Sequence, residues 1–173
     1  LWGRELLGYP VLGAKDVLRK ACGRWALIVA IGNNQERGRM VSQFHGSGCI
    51  FASAVHPSAQ IARDVRIGPG SVIMANVAVN SGTTIGSHVI INTGATVDHD
   101  CIIHDYVHVS PAAALAGGVE VAESADVGIG SSILPGIHIG AHSVVGAGAV
   151  VIRDVPDKVV AAGVPARTIK MRP

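Results

Sequence analysis

Aromatic and charged residues are scarce in this chain. Phe, Trp and Tyr make up 3% of its 173 residues, and Asp, Glu, Lys and Arg make up 15%. In their place stand 24 valines and 17 isoleucines. A core built from small branched side chains favours β-strands in regular layers. The formal charge of +2 provides no basic surface typical of a nucleic-acid-binding protein.

Long uninterrupted apolar runs are also missing. Residues 67–97 and 127–152 lack Asp, Glu, Lys and Arg, but Gly, Ser, Asn, Thr, His and Pro interrupt them throughout. A lipid-facing helix carries such polar groups only at high cost, so we predict no membrane span. No secretory signal is recognisable. The three cysteines, Cys22, Cys49 and Cys101, form no CxxC pair, which favours a reducing cytoplasm over a disulfide framework.

The dominant pattern is a six-residue repeat of aliphatic side chains. It begins at Val55 and continues without a break, through seventeen positions, to Val151. Neither an amphipathic helix nor a simple alternating strand has this period, whereas a solenoid of short strands and turns does. We therefore predict a parallel β-helix of five to six coils over residues 55–156, each coil having eighteen residues.

The ends of the chain do not follow this repeat. Residues 26–31 read as a buried strand, Gly32–Asn34 as a turn with a helix cap, and residues 35–44 and 15–21 as helices. This alternation predicts a small α/β domain over residues 1–54. Asn33 stands where a nucleotide or phosphate group could bind, although an N-cap alone explains it equally well. Residues 157–173 are expected to cap the solenoid.

The densest polar segment surrounds His99, which is flanked by Asp98 and Asp100. Adding eighteen residues places Gly117 beside His99 in the next coil, so the imidazole should face bare backbone. Acyl transfer to an amine needs a general base and a donor for the oxyanion. His99 can supply the base and the Gly117 N–H the donor. Asp100, or alternatively Asp98, would orient the imidazole.

Four segments give the chain a family resemblance: GYPVLG (8–13), AIGNN (30–34), NTGATVDHDC (92–101) and AGGV (116–119). Together they resemble the sialic-acid-O-acetyltransferase-like family of hexapeptide acyltransferases, which includes N-acetyltransferases for UDP-linked bacillosamine precursors and GDP-linked perosamine. The resemblance implies a left-handed β-helix, a homotrimer with sites between subunits, and acetyl transfer without a metal from acetyl-CoA to an amino group, expected to be the 4-amino group, of a nucleotide-linked sugar. It also implies the following roles: His99 as general base, Asp100 tuning it, Gly117 as oxyanion donor, His108, Ile129 and Ala147 binding acetyl-CoA, and Asn92 near the amino sugar.

Three other functions fit the same repeat. Acetylation of a sugar hydroxyl would use the same base. A zinc hydratase resembling the γ-class carbonic anhydrases would use His99 and His104, but the positions two coils away carry no third ligand. A non-catalytic scaffold would use only the flat faces of the solenoid, and it would not need an Asp-His-Asp segment beside a double glycine.

Overall fold

The computed structural model describes residues 3–13 and 22–172. The helix predicted over residues 15–21 therefore lies outside the described residues. Among the described residues, no helix is long and apolar enough to cross a bilayer.

In the N-terminal part, residues 3–13 and 22–53 form four short strands and one helix. Strands β1 (Glu5–Leu6) and β2 (Tyr9–Pro10) form an antiparallel pair. Strands β3 (Ala26–Leu27) and β4 (Ile50–Phe51) are parallel, and helix α1 (Asn34–Ser42) lies between them in the chain. Asn33 caps α1, because its side chain accepts a hydrogen bond from the Glu36 N–H at 3.0 Å. This strand, helix and parallel strand agree with the predicted α/β organisation.

Two predictions for this part are wrong. Only Ala26 and Leu27 of residues 26–31 are strand, and Val29 alone is buried. Among the described residues, β3 pairs only with the two-residue strand β4, so the strand does not extend beyond Leu27. Cys22 and Cys49 form a disulfide, contrary to the expectation of free thiols, because they precede the paired strands β3 and β4. Cys101 is free and buried.

From residue 54 onward the chain is a parallel β-solenoid of about six turns, which confirms the predicted β-helix. Its strands have two residues each and pair with the strand eighteen residues away, as Thr96 pairs with Ala114. They form three faces. Face 1 contains β5 (Ala54–Val55), β8 (Val72–Ile73), β11 (Ile90–Ile91), β14 (His108–Val109), β17 (Asp126–Val127) and β20 (Val144–Val145). Face 2 contains β6 (Gln60–Ile61), β9 (Ala78–Val79), β12 (Thr96–Val97), β15 (Ala114–Leu115), β18 (Ser132–Ile133) and β21 (Val150–Val151). Face 3 contains β7 (Arg66–Ile67), β10 (Thr84–Ile85), β13 (Ile102–Ile103), β16 (Glu120–Val121) and β19 (His138–Ile139).

The repeated aliphatic residues fill the interior of this prism. From Ile73 to Val151 they are buried, and a second set of small residues, such as Ala95 and Cys101, closes the corners. Burial of one such Val or Ile side chain contributes about 1.5–3 kcal/mol, so each coil adds several of these contributions. The first coil is less covered, since Val55 is 47% exposed.

The C-terminal segment extends face 1 by an antiparallel hairpin. Strand β22 (Val159–Gly163) pairs with β20 on one side and with β23 (Ala166–Met171) on the other. Val164 and Pro165 form the turn between β22 and β23.

Candidate functional site

His99 lies at the corner between faces 2 and 3, in the turn that joins β12 to β13. Its side chain is 59% exposed, and its Nδ1 atom lies 2.8 Å from the Asp100 Oδ2 atom. Asp100 has a left-handed backbone with φ of 58°, a conformation that aspartate tolerates better than most residues. The hydrogen bond that His99 donates to Asp100, together with the charge of Asp98, raises the pKa of His99 above its usual value. Asp100 is thus the carboxylate that holds the imidazole.

Asp98 has a different task. Its Oδ1 atom accepts hydrogen bonds from the Asn80 Nδ2 atom at 2.7 Å and from the His99 backbone N–H at 2.8 Å. These two hydrogen bonds lower the pKa of Asp98, and the bond from Asn80 has the larger effect. Asp98 therefore fixes the turn rather than the imidazole.

Gly117 lies directly against the His99 ring, as predicted. A Cβ atom built on Gly117 would be 2.6 Å from both the Nε2 and Cε1 atoms of His99. The neighbouring Gly118 N–H donates to the His99 carbonyl at 2.9 Å, whereas the Gly117 N–H has no acceptor among the described residues. A free backbone donor next to the outward-facing Nε2 atom is the arrangement that an oxyanion site requires.

Cys101 follows His99 closely in the chain but is unsuited to act as a nucleophile. Its Sγ atom is buried and donates to the Ala116 carbonyl at 3.3 Å. Burial raises the pKa of this thiol, so it stays protonated near neutral pH.

The other predicted residues lie elsewhere. His108 is on face 1, in β14, and Asn92 follows β11 on the same face; the Asn92 Nδ2 atom is 3.2 Å from the His108 Nε2 atom. Ile129 and Ala147 lie at the corner between faces 1 and 2, because each follows a face 1 strand and precedes a face 2 strand. A single chain therefore brings His99, Asp100 and Gly117 together, but holds the predicted acetyl-CoA residues on another corner and face.

A cleft of about 160 Å³ separates face 1 from the N-terminal part. Gly32 lies on one side of it, and Met74, Ile90, Asn92 and His108 lie on the other. Asn33 precedes α1 next to this cleft and uses its side-chain oxygen as the helix cap.

Sequence analysis missed the residues that dock α1 onto the solenoid. The buried Arg37 guanidinium donates to the carbonyls of His88 and Tyr106 at 2.8 and 2.7 Å. The Asn34 amide donates to the Ser124 and Ala125 carbonyls. Their acceptors are backbone atoms, which have no distinctive residue pattern.

Gly82 was also missed, although its signal was available. It lies eighteen residues before Asp100, and a Cβ atom there would collide with the Asp100 carboxylate. The His99–Asp100 pair thus occupies space left by Gly82 in one adjacent coil and by Gly117 in the other.

The histidines that suggested zinc are engaged differently. The His104 Nε2 atom pairs with Glu120 at 2.8 Å on face 3, and His138 pairs with the same carboxylate at 3.3 Å. In the part of the chain that the structure describes, no three His, Cys, Asp or Glu side chains are grouped as metal ligands.

Comparison with known proteins identifies the class. The bacterial transferase hexapeptide family (six repeats) matches residues 64–99. A mutant of GDP-perosamine N-acetyl transferase from Caulobacter crescentus, in complex with CoA and GDP-perosamine, superimposes with a TM-score of 0.91 at 46% identity, over 95% of this chain and 80% of that one. The chain therefore belongs to the hexapeptide-repeat transferase family.

The similarity extends to further acetyltransferases. The acetyltransferase domain of PglB from Neisseria gonorrhoeae FA1090 matches with a TM-score of 0.92 at 34% identity, over 98% of this chain and 83% of that one. Galactoside O-acetyltransferase of Escherichia coli is 53% identical over 47 residues, which cover 26% of this chain and 23% of that protein. The chain spans about a quarter of the length of the curated relatives it matches.

Proposed function

We propose that this protein transfers acetyl from acetyl-CoA to the amino group of a nucleotide-linked sugar. The observation that carries the proposal is the arrangement of His99, with Asp100 on its Nδ1 atom and the bare backbone of Gly117 beside its Nε2 atom. The similarity to the N-acetyl transferase that binds CoA and GDP-perosamine supports the substrate class.

The chemistry follows from the hydrogen bond between His99 and Asp100. Because the Nδ1–H donates to Asp100, the Nε2 lone pair faces solvent and can accept a proton from the attacking amine. The amine nitrogen bonds to the thioester carbonyl carbon, and the Gly117 N–H stabilises the resulting oxyanion. Collapse of the tetrahedral intermediate breaks the carbon–sulfur bond, and the imidazolium returns the proton to the CoA sulfur. Since Cys101 is buried and protonated, attack is direct, without an acyl-enzyme.

We further propose that the active protein is a homotrimer. Its support is the separation of the predicted residues within one chain: His99 and Gly117 lie at the corner between faces 2 and 3, whereas Ile129 and Ala147 lie at the corner between faces 1 and 2. The flat faces can pack side by side, so that the acetyl-CoA corner of one subunit approaches the His99 corner of the next. In this arrangement the N-terminal part, residues 1–54, would hold the nucleotide beside Asn33, with the sugar near Asn92.

A cytoplasmic location is part of the proposal and rests on the use of acetyl-CoA and a nucleotide sugar. The cysteines no longer support it, because Cys22 and Cys49 are paired and disulfides are rare in a reducing cytoplasm.

Release of free thiol from acetyl-CoA tests the reaction. The acceptors are UDP-, dTDP- and GDP-linked 4-amino sugars, each with its 4-hydroxy counterpart, and His99→Ala is the matched inactive control. We expect release with a 4-amino sugar and none with its counterpart. Release with the hydroxy sugar instead would support O-acetylation, which the similarity to galactoside O-acetyltransferase favours. No release with any acceptor would contradict the proposed function.

A further inference from the structure

The cleft between face 1 and the N-terminal part contains a chain of polar contacts that lies apart from the corner of His99, Asp100 and Gly117. It runs from Asn92 through His108 to Asp126. His108 and Asp126 are opposite each other in the paired strands β14 and β17, and their side chains are 17% and 31% exposed. Withdrawing a carboxylate from solvent costs free energy unless an opposite charge or a hydrogen-bond donor lies nearby.

The orientation of the Asn92 amide is determined by the backbone. Its Oδ1 atom accepts a hydrogen bond from the Thr93 N–H at 2.8 Å. The reverse orientation would set two donors against each other, so the Nδ2 atom must face His108, 3.2 Å away. Nδ2 carries only donors.

This orientation determines the tautomer of His108. Because Asn92 Nδ2 donates, the His108 Nε2 atom must carry a lone pair, and the single ring proton must be on Nδ1. The Nδ1 atom faces the Asp126 Oδ1 atom at 3.7 Å. This distance exceeds a direct hydrogen bond, but the carboxylate charge still favours the tautomer with its proton on that side.

The surroundings also favour a neutral imidazole. Burial lowers the pKa of His108 and the buried Arg37 cation adds to this effect, whereas Asp126 and a hydrogen bond with the Gly32 backbone oppose it. Burial raises the pKa of Asp126, whereas His108, Arg172 and Arg37 lower it.

The second N–H of the Asn92 amide has no acceptor among the described residues. Asn92 and His108 both line the cleft, so this N–H is available to an oxygen of a bound molecule. The direction of this second N–H depends on the two contacts that hold the Asn92 amide, with the Thr93 N–H and with His108.

We propose that Asp126 is a positioning residue: it favours the Nδ1–H tautomer of His108, whose Nε2 lone pair, together with the Thr93 N–H, holds the Asn92 amide so that its second N–H donates to a ligand oxygen in the cleft. The identity of that ligand rests on the proposed function: the oxygen belongs either to the nucleotide-linked sugar or to the acetyl thioester. Neither Asp126 nor the tautomer needs to take part in proton transfer, which His99 performs at another corner.

Nitrogen-15 NMR of histidine-labelled protein tests the positioning step without any ligand. The His108 signals are identified by their loss in His108→Gln. Near neutral pH we expect the wild-type ring to be the Nδ1–H tautomer, and Asp126→Leu to shift it towards the Nε2–H form. A wild-type ring that is Nε2–H or doubly protonated overturns the proposal, and so does an unchanged tautomer in Asp126→Leu. The wild-type measurement stands even if that variant does not fold.

Steady-state kinetics of the same variants test the ligand step and identify its source. Loss of one neutral hydrogen bond should raise KM about threefold to tenfold in Asp126→Leu, for the sugar or for acetyl-CoA according to which one provides the oxygen, with little change in kcat. Glu123→Gln, which removes an exposed carboxylate from the preceding turn, is the matched control and should keep both KM values. Unchanged KM values in Asp126→Leu overturn the ligand step. If the wild type releases no thiol at all, the proposed function fails, whereas the tautomer measurement still decides the role of Asp126.

Discussion

Residue contacts at the corner between faces 2 and 3 determine which protonation state of His99 is active. The hydrogen bond that His99 donates to Asp100 raises the pKa of His99, and a histidine general base works only when it is neutral. We expect kcat/KM to fall as the pH decreases through this raised pKa, which is above the ordinary histidine value of about 6.5. A pH profile of kcat/KM measures the midpoint.

Asp100→Asn is the variant whose pH profile is compared with that of the wild type. Without the carboxylate, the acidic limb should move to lower pH, and the plateau should drop because the amide no longer enforces the Nδ1–H tautomer. Any limb due to the amino sugar itself will be the same in both proteins. An unshifted limb in Asp100→Asn would show that His99 is not the titrating base.

Removal of the base itself gives the most direct effect. His99→Ala should lower kcat by at least about 10²-fold, the scale of general-base catalysis. Binding of acetyl-CoA should survive, because the predicted coenzyme residues lie on another corner of the chain. Stopped-flow or steady-state thiol release measures the first quantity, and calorimetric titration with CoA the second. Near-normal turnover would contradict the assigned role.

Gly117 is the residue whose replacement tests the geometry most selectively. In Gly117→Ala the new Cβ would lie 2.6 Å from the His99 ring, so the exposed imidazole must swing away from the oxyanion donor. We expect kcat to fall about 10²-fold, while the melting temperature changes little. Pro135→Ala, at the equivalent position one coil further on, is the control and should keep full activity. Normal kcat in Gly117→Ala would mean that the Gly117 backbone is not part of the site.

At the scale of elements, the junction between the N-terminal part and the solenoid depends on a neutral histidine. His88 is buried between the Phe51 edge and the Tyr106 ring, with centroids 4.7 and 5.3 Å away. Its Nδ1 atom has no hydrogen-bond partner within residues 3–13 and 22–172, and burial lowers the pKa of His88. The unfolded chain therefore binds this proton more readily than the folded one.

Stability should accordingly decrease as the pH falls below the ordinary histidine pKa. The loss begins near pH 6.5, continues down to the lowered pKa, and amounts to at most about 1.4 kcal/mol per pH unit. His88→Asn cannot titrate and tolerates the left-handed backbone at this position, where φ is 56°. Denaturant melts of both proteins between neutral and mildly acidic pH measure the difference in slope. Equal slopes would refute the role of His88.

The sequence predicts contacts correctly where the repeat fixes which residues are neighbours. A six-residue period predicts the strands, and an offset of eighteen predicts that Gly117 touches His99, because neighbouring coils are in strict register. It fails to predict them where contacts are not periodic. Arg37 reaches carbonyls of residues 51 and 69 positions away, and any residue type offers a carbonyl. The overestimated strand at residues 26–31 has the same origin, since local apolar content does not reveal how far its pairing with β4 extends.

At the scale of the whole molecule, a site shared between subunits predicts complementation. His99→Ala chains keep the coenzyme corner, and Ala147→Arg chains keep the base. Each variant alone should be inactive, whereas random mixed trimers from equal amounts should recover about a quarter of the native sites, given one shared site at each interface. Thiol release after joint refolding measures the recovery. Activity that stays at the level of the separate variants would place the whole site within one chain.

The pairing of residues eighteen apart also constrains how the gene can change in length. Duplication or loss of one complete coil beyond Ala147 would leave every earlier side chain on its present face. An insertion of six codons between His99 and Gly117 would rotate all later residues onto the next face, and it would carry the glycine away from the imidazole while the hydrophobic interior stayed intact. Such a variant should remain folded and lose catalysis. Insertions of six codons should therefore preserve stability, whereas only insertions of eighteen codons should also preserve function.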